Sequence, residues 1–208
     1  MKRPLLEDGS DSFIRFNQSV SIIRKVRAFN EEIMENYVSA RKPFGDIIPH
    51  KTKQTGDLSV YAYPDNGFIS KDNVSSNKSW IDKYKVFITK AYGERGDFPY
   101  FIIGKPFLGM PNEICTETYL VAYVSDDREF CENIISYMRT KFFRFLVLQK
   151  KNTQNAPRNV YSFVPMQNFS ESWSDEKLYK KYGLTNEEIG FIESLIKPME
   201  LTLFDGYE

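Results

Sequence analysis

The chain has 208 residues, enough for one domain with a sizeable core, and its 28 Lys and Arg balance 28 Asp and Glu. This balance excludes a global electrostatic field toward nucleic acid or membrane, so any such function needs charge that is segregated locally. Two cysteines without CxxC spacing, Cys115 and Cys131, and a lone histidine, His50, exclude a recognisable zinc site or disulfide framework and favour a cytoplasmic location.

Membrane and export signals are not found in the sequence. No stretch approaches about 20 apolar residues, and the amino terminus carries acids where a signal peptide would have an apolar run. We therefore expect a soluble protein that is not exported and has no membrane partner.

The first predicted elements follow a polar tail, residues 1–12. The run FIRFNQ predicts a short strand, and the apolar spacing in SVSIIRKVRAFNEEIMENY predicts a helix. The apolar face of that helix would consist of Val20, Ile23, Val26 and Ile33. In LSVYAYPDNGFIS, two alternating runs flank Asn66 and Gly67, which tolerate positive φ, and this pattern predicts a β-hairpin.

The middle of the chain predicts a sheet. Its strand-like runs are separated by Gly, Pro and Asn clusters and read WIDKYKVFITKAY, YFIIGKPF and ICTETYLVAYV.

From Asp127 the apolar period changes to that of a helix, which is predicted to run to Gln149 with Asp127 as its N-cap. A short strand, VYSFVPM, is predicted next. Two closing helices follow in SDEKLYKKYG and TNEEIGFIESLIKP, the second with a Thr185–Glu188 capping box.

These elements predict an α/β (α+β) fold. It would contain a mixed, largely antiparallel sheet packed by one long helix and two C-terminal helices. Residues 13–199 would form a single domain, with a tail at 200–208.

A basic block stands out against the neutral whole. No Asp or Glu occurs from Asn133 to Ser170, and the cations in this segment are Arg139, Lys141, Arg144, Lys150, Lys151 and Arg158. On a continuous helix most of them would lie opposite the apolar face, with Tyr137 and Phe143 among them, which is typical of a nucleic-acid surface. The alternative is an ordinary solvated helix face.

The loop KKNTQNAPRNVY extends this block. Its Lys and Arg side chains could bind phosphates, and the amides of Gln154 and Asn155 could bond the edges of adenine. The alternative is an ordinary solvated connection.

Two Lys-Pro-Phe turns add further cations. SARKPFG, residues 39–45, places Arg41 and Lys42 before a Pro-Phe-Gly turn, and IGKPFLG repeats the pattern at Lys105. Proline restricts such loops, so less entropy is lost when a cation meets a ligand. The alternative is that Pro-Phe only packs the loop onto the core.

Active-site patterns are scarce. The chain has no GxGxxG, no P-loop and no Gly-x-Ser-x-Gly elbow, and His50 has no partner for catalysis, so no catalytic or metal-ligating residue is assigned. Glu117 is the best single carboxylate for a Mg²⁺-dependent nuclease, although a solvated residue at a strand edge is the commoner role.

Over residues 13–199 the order of segments resembles one protein family. SARKPFG, WIDKYKVFITKAYGE, IGKPFLG, CTETYLVAYV and the long run from ISYMRTKFFRFLVLQKKNTQNAPRNVYSF to IESLIKPM are similar to the carboxy-terminal, target-recognition part of bacterial restriction–modification N6-adenine DNA methyltransferases of the TaqI-like type. In that family an amino-terminal Rossmann-like domain binds S-adenosylmethionine and carries an Asn-Pro-Pro-Tyr/Phe motif. Neither feature is present in this sequence.

The resemblance implies a sequence-specific DNA-recognition domain without its catalytic half, either excised or from a truncated reading frame. It implies no cofactor in this chain, S-adenosylmethionine in the missing domain, and two partners: double-stranded DNA and the catalytic domain. The chemistry of the side chains, not the family, suggests the DNA contacts: Arg41, Lys42, Lys105, Arg139, Lys141, Arg144, Lys150, Lys151, Gln154, Asn155 and Arg158.

Two other functions stay open. A protein-interaction or scaffold module that docks another subunit is favoured by the neutral net charge and by the acidic helix around Glu187, Glu188 and Glu193. A nuclease would depend on Glu117 and scattered acids alone.

Overall fold

The computed structural model describes residues 13–50 and 56–200; the predicted tail at 1–12 and all but the first residue of the tail at 200–208 lie outside these ranges. Five α-helices occur in the described residues: α1 (Asn17–Arg27), α2 (Arg128–Arg139), α3 (Lys141–Leu148), α4 (Asp175–Lys181) and α5 (Asn186–Leu195). Six strands occur there: β1 (Leu58–Tyr61), β2 (Gly67–Ile69), β3 (Tyr84–Thr89), β4 (Phe107–Gly109), β5 (Glu113–Cys115) and β6 (Tyr119–Ser125).

The strands form two small, mostly antiparallel sheets, ordered β2-β1-β5 and β4-β3-β6. The predicted hairpin is confirmed, because β1 pairs antiparallel with β2 and Val60 lies opposite Gly67. Strand β5 joins β1 in parallel, while β3 is antiparallel to both β4 and β6. The α+β class is therefore confirmed, with the strands divided between two sheets where one was expected.

Alternation along β3 explains how the layers pack. Val86 and Ile88 enter the larger core with the helices, whereas Phe87 enters a smaller core with β1 and β2. Since successive side chains of a strand point to opposite faces, the β4-β3-β6 sheet is covered on both sides and forms the middle layer of three.

Several local predictions fail where tertiary contacts satisfy the backbone. The run FIRFNQ is not a strand, because α1 begins within it at Asn17, and α1 ends at Arg27, so Ile33 lies outside the helix and bridges to Pro165. Most of YFIIGKPF is irregular. There the side chain of Glu94 accepts hydrogen bonds from backbone N–H groups, including that of Ile102 at 3.3 Å.

The segment VYSFVPM is also not a strand. A short 3₁₀ helix, Arg158–Tyr161, occupies its beginning. The two closing helices are confirmed as α4 and α5, and Thr185 and Glu188 form the predicted capping box.

The predicted long helix is broken at Thr140, which has extended backbone (φ −62°, ψ 151°) and separates α2 from α3. The Thr140 hydroxyl accepts a hydrogen bond from the Phe143 N–H at 3.1 Å. Asp175 accepts from the N–H groups of Lys141 at 3.0 Å and Phe142 at 2.8 Å. These bonds satisfy donors that a helix start leaves free, so a new helix begins here.

Residues 139–144 contain this break between the helices, and we call them the elbow. Arg144 stabilises the elbow from within the core. Its guanidinium donates to the carbonyl of Arg139 at 2.9 Å, of Thr140 at 3.1 Å and of Phe101 at 3.3 Å. The carbonyls at the end of α2 thus gain partners within the core. The elbow turns α3 so that every residue from Phe142 to Leu148 is buried.

Candidate nucleic-acid interface

The elbow removes part of the predicted DNA-binding face. Arg144 is fully buried (0% exposed), and the interpretation of it as a phosphate contact is wrong, because its guanidinium serves backbone carbonyls inside the fold. Tyr137 and Phe143, expected among the exposed cations, are also fully buried, and their rings pack edge to face at 5.1 Å.

Two further cations of the block face other parts of the chain. Arg139 is half-buried and donates to the carbonyl of Pro106 at 3.3 Å. Lys141 forms an ion pair with Glu193 of α5. The structure does not bring these two side chains together with the loop that follows α3.

The remaining predicted contacts lie on that loop, residues 150–158, which we call the basic loop. Gln154, Asn155 and Arg158 are exposed. The Lys150 ammonium lies 5.1 Å from the centroid of the Phe163 ring, and the guanidinium of Arg27 from α1 lies 4.8 Å from the same centroid. Arg27, which the sequence did not single out, therefore adds a cation beside the loop.

Lys151 occupies the inner edge of the basic loop. Its ammonium donates to the Tyr92 carbonyl at 2.7 Å. Burial lowers the pKa of Lys151; the charge of Glu94 opposes this shift, and the nearby charge of Arg15 adds to it. Arg15 is exposed, so it too contributes positive charge at this surface.

The backbone of the basic loop is held against the segment that follows β3. The Tyr92 N–H donates to the Gln154 carbonyl at 2.8 Å, and the Ala156 N–H donates to the Lys90 carbonyl at 2.8 Å. Such bonds restrict the loop before any ligand binds, so less ordering entropy is lost on binding.

The segment SARKPFG proves to be an anchored turn with an exposed cation. Phe44 is fully buried against Trp80, and the Asn77 side chain donates to the Pro43 carbonyl at 2.7 Å. Arg41 stays 63% exposed and donates to the Glu117 carboxylate at 2.6 Å. The Pro-Phe pair thus packs the loop onto the core, as the simpler alternative holds, and leaves Arg41 at the surface.

Glu117 is surrounded by positive charge. The hydrogen bond from Arg41 is the largest cause that lowers the pKa of the Glu117 carboxyl, and Lys90 and Lys42 lower it further. Lys42 itself pairs with Asp46. The carboxylate that the sequence offered to a metal ion is therefore engaged by Arg41.

Lys105 and His50 are two further residues that the sequence singled out. Lys105 is exposed in its turn. His50 is exposed too, and its backbone exchanges hydrogen bonds of 2.7 and 2.6 Å with Phe68, which extends the β1–β2 pairing.

A cleft of about 380 Å³ opens beside Glu117. It is lined by Ile47, Ile48, Pro49, Ala62, Tyr63, Pro64, Asp65, Asn66, Thr116, Glu117 and Thr118. Tyr63 is 80% exposed and Ile48 is 79% exposed. Sequence reasoning missed both residues, and the one available signal was an aromatic residue directly before the Pro-Asp-Asn-Gly run.

Comparison with known proteins supplies no relative. No family model, curated protein or solved structure matches the chain. The resemblance to adenine methyltransferases therefore stays a prediction.

Across 13–50 and 56–200, no three His, Cys, Asp or Glu side chains are grouped so that they could hold a metal ion. Within those ranges, no helix has the length and apolar character needed to cross a membrane.

Proposed function

We propose that the chain is a sequence-specific DNA-recognition domain that works in the cytoplasm as part of an N6-adenine DNA methyltransferase. The observation that carries the proposal is the basic loop, where the exposed Arg158, the half-buried Lys150 and two exposed amides share one restrained segment. In this proposal S-adenosylmethionine and the catalytic residues belong to a separate domain, which is the second partner beside duplex DNA.

The loop offers two kinds of DNA contact. Lys150 and Arg158, with Arg27 beside them, carry the positive charge that binds phosphates and displaces counterions. Gln154 and Asn155 carry amides, which pair with the N6 and N7 edge of adenine in the major groove. Phosphate contacts supply affinity and position, and amide contacts supply sequence information.

The first test measures binding to random-sequence duplex DNA by fluorescence anisotropy across a salt series. We expect affinity to fall steeply with salt, with a slope of about −0.9 per phosphate contact. Arg158→Gln is expected to weaken binding and to reduce the slope by about one contact. Lys177→Gln is the matched control, since Lys177 is an exposed cation on α4 that pairs with Glu171. Absence of binding at low salt would reject the proposal.

A second prediction concerns the ion pair at the cleft. Replacing Glu117 with Gln removes the carboxylate that engages Arg41, so we expect tighter duplex binding and a salt slope steeper by about one contact. Glu129→Gln, an exposed acid on α2, is the control for the change in net charge. Equal slopes for Glu117→Gln and the parent protein would remove Arg41 from the interface.

The exposed Ile48 and Tyr63 favour a second candidate function, a module that docks another protein. Large exposed apolar side chains that lie together are a feature of protein interfaces. This function predicts an association that depends little on salt, and sedimentation of the chain at low and high salt would detect self-association of that kind.

A further inference from the structure

We propose that the cleft beside Tyr63 binds one unstacked nucleobase of the DNA strand that the basic loop holds. This inference rests on the proposed function and adds a specific ligand, a neutral planar base, to a place that the sequence did not mark.

The size and the exposed ring of the cleft fit a planar ligand. Its volume of about 380 Å³ is at the lower end of small-molecule sites, which run from about 300 to 1,000 Å³. The Tyr63 ring is 80% exposed. The turn that carries it is closed by a hydrogen bond of 3.0 Å from the Ala62 N–H to the Asn66 side chain. A solvent-facing ring carried on a closed turn is a stacking platform for a base.

The polar lining favours a base over a phosphate. Asp65 and Glu117 are both part of the lining, Glu117 is already paired with Arg41, and the described lining residues include no cation to bind a phosphate. Carboxylates accept hydrogen bonds from the exocyclic amino groups of bases, cytosine N4 among them. The hydroxyls of Thr116 and Thr118 lie 3.0 Å apart in the same lining and can donate or accept.

Backbone hydrogen bonds through Lys90 link the cleft lining to the basic loop. The Lys90 N–H donates to the Thr118 carbonyl at 2.9 Å, and the Lys90 carbonyl accepts from the Ala156 N–H at 2.8 Å. Lys90 therefore lies between Thr118 and Ala156, one backbone hydrogen bond from each. A few nucleotides of one DNA strand can span a separation of two hydrogen-bonded segments. One strand can therefore lie on the loop cations and place a base in the cleft.

The test compares two duplexes of identical length, one fully paired and one with a single unpaired adenine, by anisotropy at fixed salt. An unpaired base needs little energy to leave the stack, so we expect the chain to prefer the second duplex. Tyr63→Ala should weaken binding of the unpaired-base duplex by about 5- to 150-fold, whereas Tyr63→Phe should retain it because the ring remains. The exposure of Tyr63 makes both variants compatible with folding.

A second measurement reports the base directly. With 2-aminopurine at the unpaired position, the parent chain should quench the fluorescence by stacking, and Tyr63→Ala should not. Equal affinity of Tyr63→Ala and the parent chain for the unpaired-base duplex, with salt-dependent binding intact, would overturn the inference and leave the proposed function standing. An equal loss on both duplexes would also overturn it, because the ring would then act as a backbone contact. If the parent chain shows no salt-dependent binding to either duplex, both this inference and the proposed function are rejected.

Discussion

Replacing Arg144 with methionine is expected to lower the free energy of unfolding by about 1–3 kcal/mol, the cost of leaving a buried hydrogen-bonding group without its partner. Arg144 is fully buried and donates to the carbonyls of Arg139, Thr140 and Phe101. Methionine fills a similar space and offers no donor. The Arg139 carbonyl would lose its donor, at a cost of about 1–3 kcal/mol. The Thr140 carbonyl would still accept from the residue-144 N–H, at 3.3 Å in the parent chain, and the Phe101 carbonyl from the Ile103 N–H at 2.9 Å.

Urea unfolding of the parent and variant chains gives this difference from the transition midpoints when the slopes agree. Arg158→Met is the matched control, because Arg158 is exposed and its replacement should change stability by less than about 0.5 kcal/mol. DNA binding should show the reverse order, with the larger loss for Arg158→Met at temperatures where both variants are folded. A stable Arg144→Met chain with weakened DNA binding would contradict the structural role and restore the interpretation of Arg144 as a phosphate contact.

The second large effect is the contribution of Lys85 to the free energy of unfolding, which rises with pH. This side chain is fully buried, and its ammonium donates to the carbonyls of Trp80 at 2.9 Å and Ile81 at 3.1 Å, at the end of a 3₁₀ helix. Burial lowers the pKa of Lys85 to about 8 from 10.5, and the charges of Glu113 and Asp82 oppose that shift. Folding therefore favours the neutral amine relative to the unfolded chain.

The direction of this pH dependence follows from the number of protons that each state binds. Between pH 8 and 10.5 the unfolded chain holds more protons on Lys85 than the native chain does, so the contribution of Lys85 to stability increases with pH in that window. At 1.36 kcal/mol per pKa unit, the contribution of this group improves by about 2 kcal/mol from pH 7 to pH 9.5. The quantity to measure is the difference in unfolding free energy between the parent chain and Lys85→Met. The contributions of groups that titrate alike in both chains cancel in this difference.

Lys83→Met is the control for this titration. Lys83 is two residues away, is partly exposed and pairs with Asp126 at 2.8 Å, so the variant should keep the full rise with pH. If the difference between the parent chain and Lys85→Met stays constant from pH 7 to 9.5, the ammonium is not desolvated as the structure indicates.

Local chemistry alone determined a good part of this protein. The start of α2 follows from the Asp127 cap and the start of α5 from the Thr185–Glu188 box. The hairpin forms where it was predicted, but neither Asn66 nor Gly67 has positive φ, and the Asn66 side chain closes the turn by accepting from the Ala62 N–H. Each signal acts within a few residues of the element it directs, so it is visible in the chain without any knowledge of the fold. The acid-free segment likewise predicted a basic surface that includes the loop after α3, where Gln154, Asn155 and Arg158 are exposed.

The burial of the cations, the elbow and the cleft were decided only by the tertiary structure. The Asp175 carboxylate that receives the Lys141 and Phe142 N–H groups comes from more than thirty residues further along the chain, and the Phe101 carbonyl that receives Arg144 lies 43 residues before it. The cleft joins three separate segments around Ile48, Tyr63 and Glu117. Whether a cation meets solvent or a buried carbonyl depends on which distant segment packs over it, and periodicity along one helix carries no information about that partner.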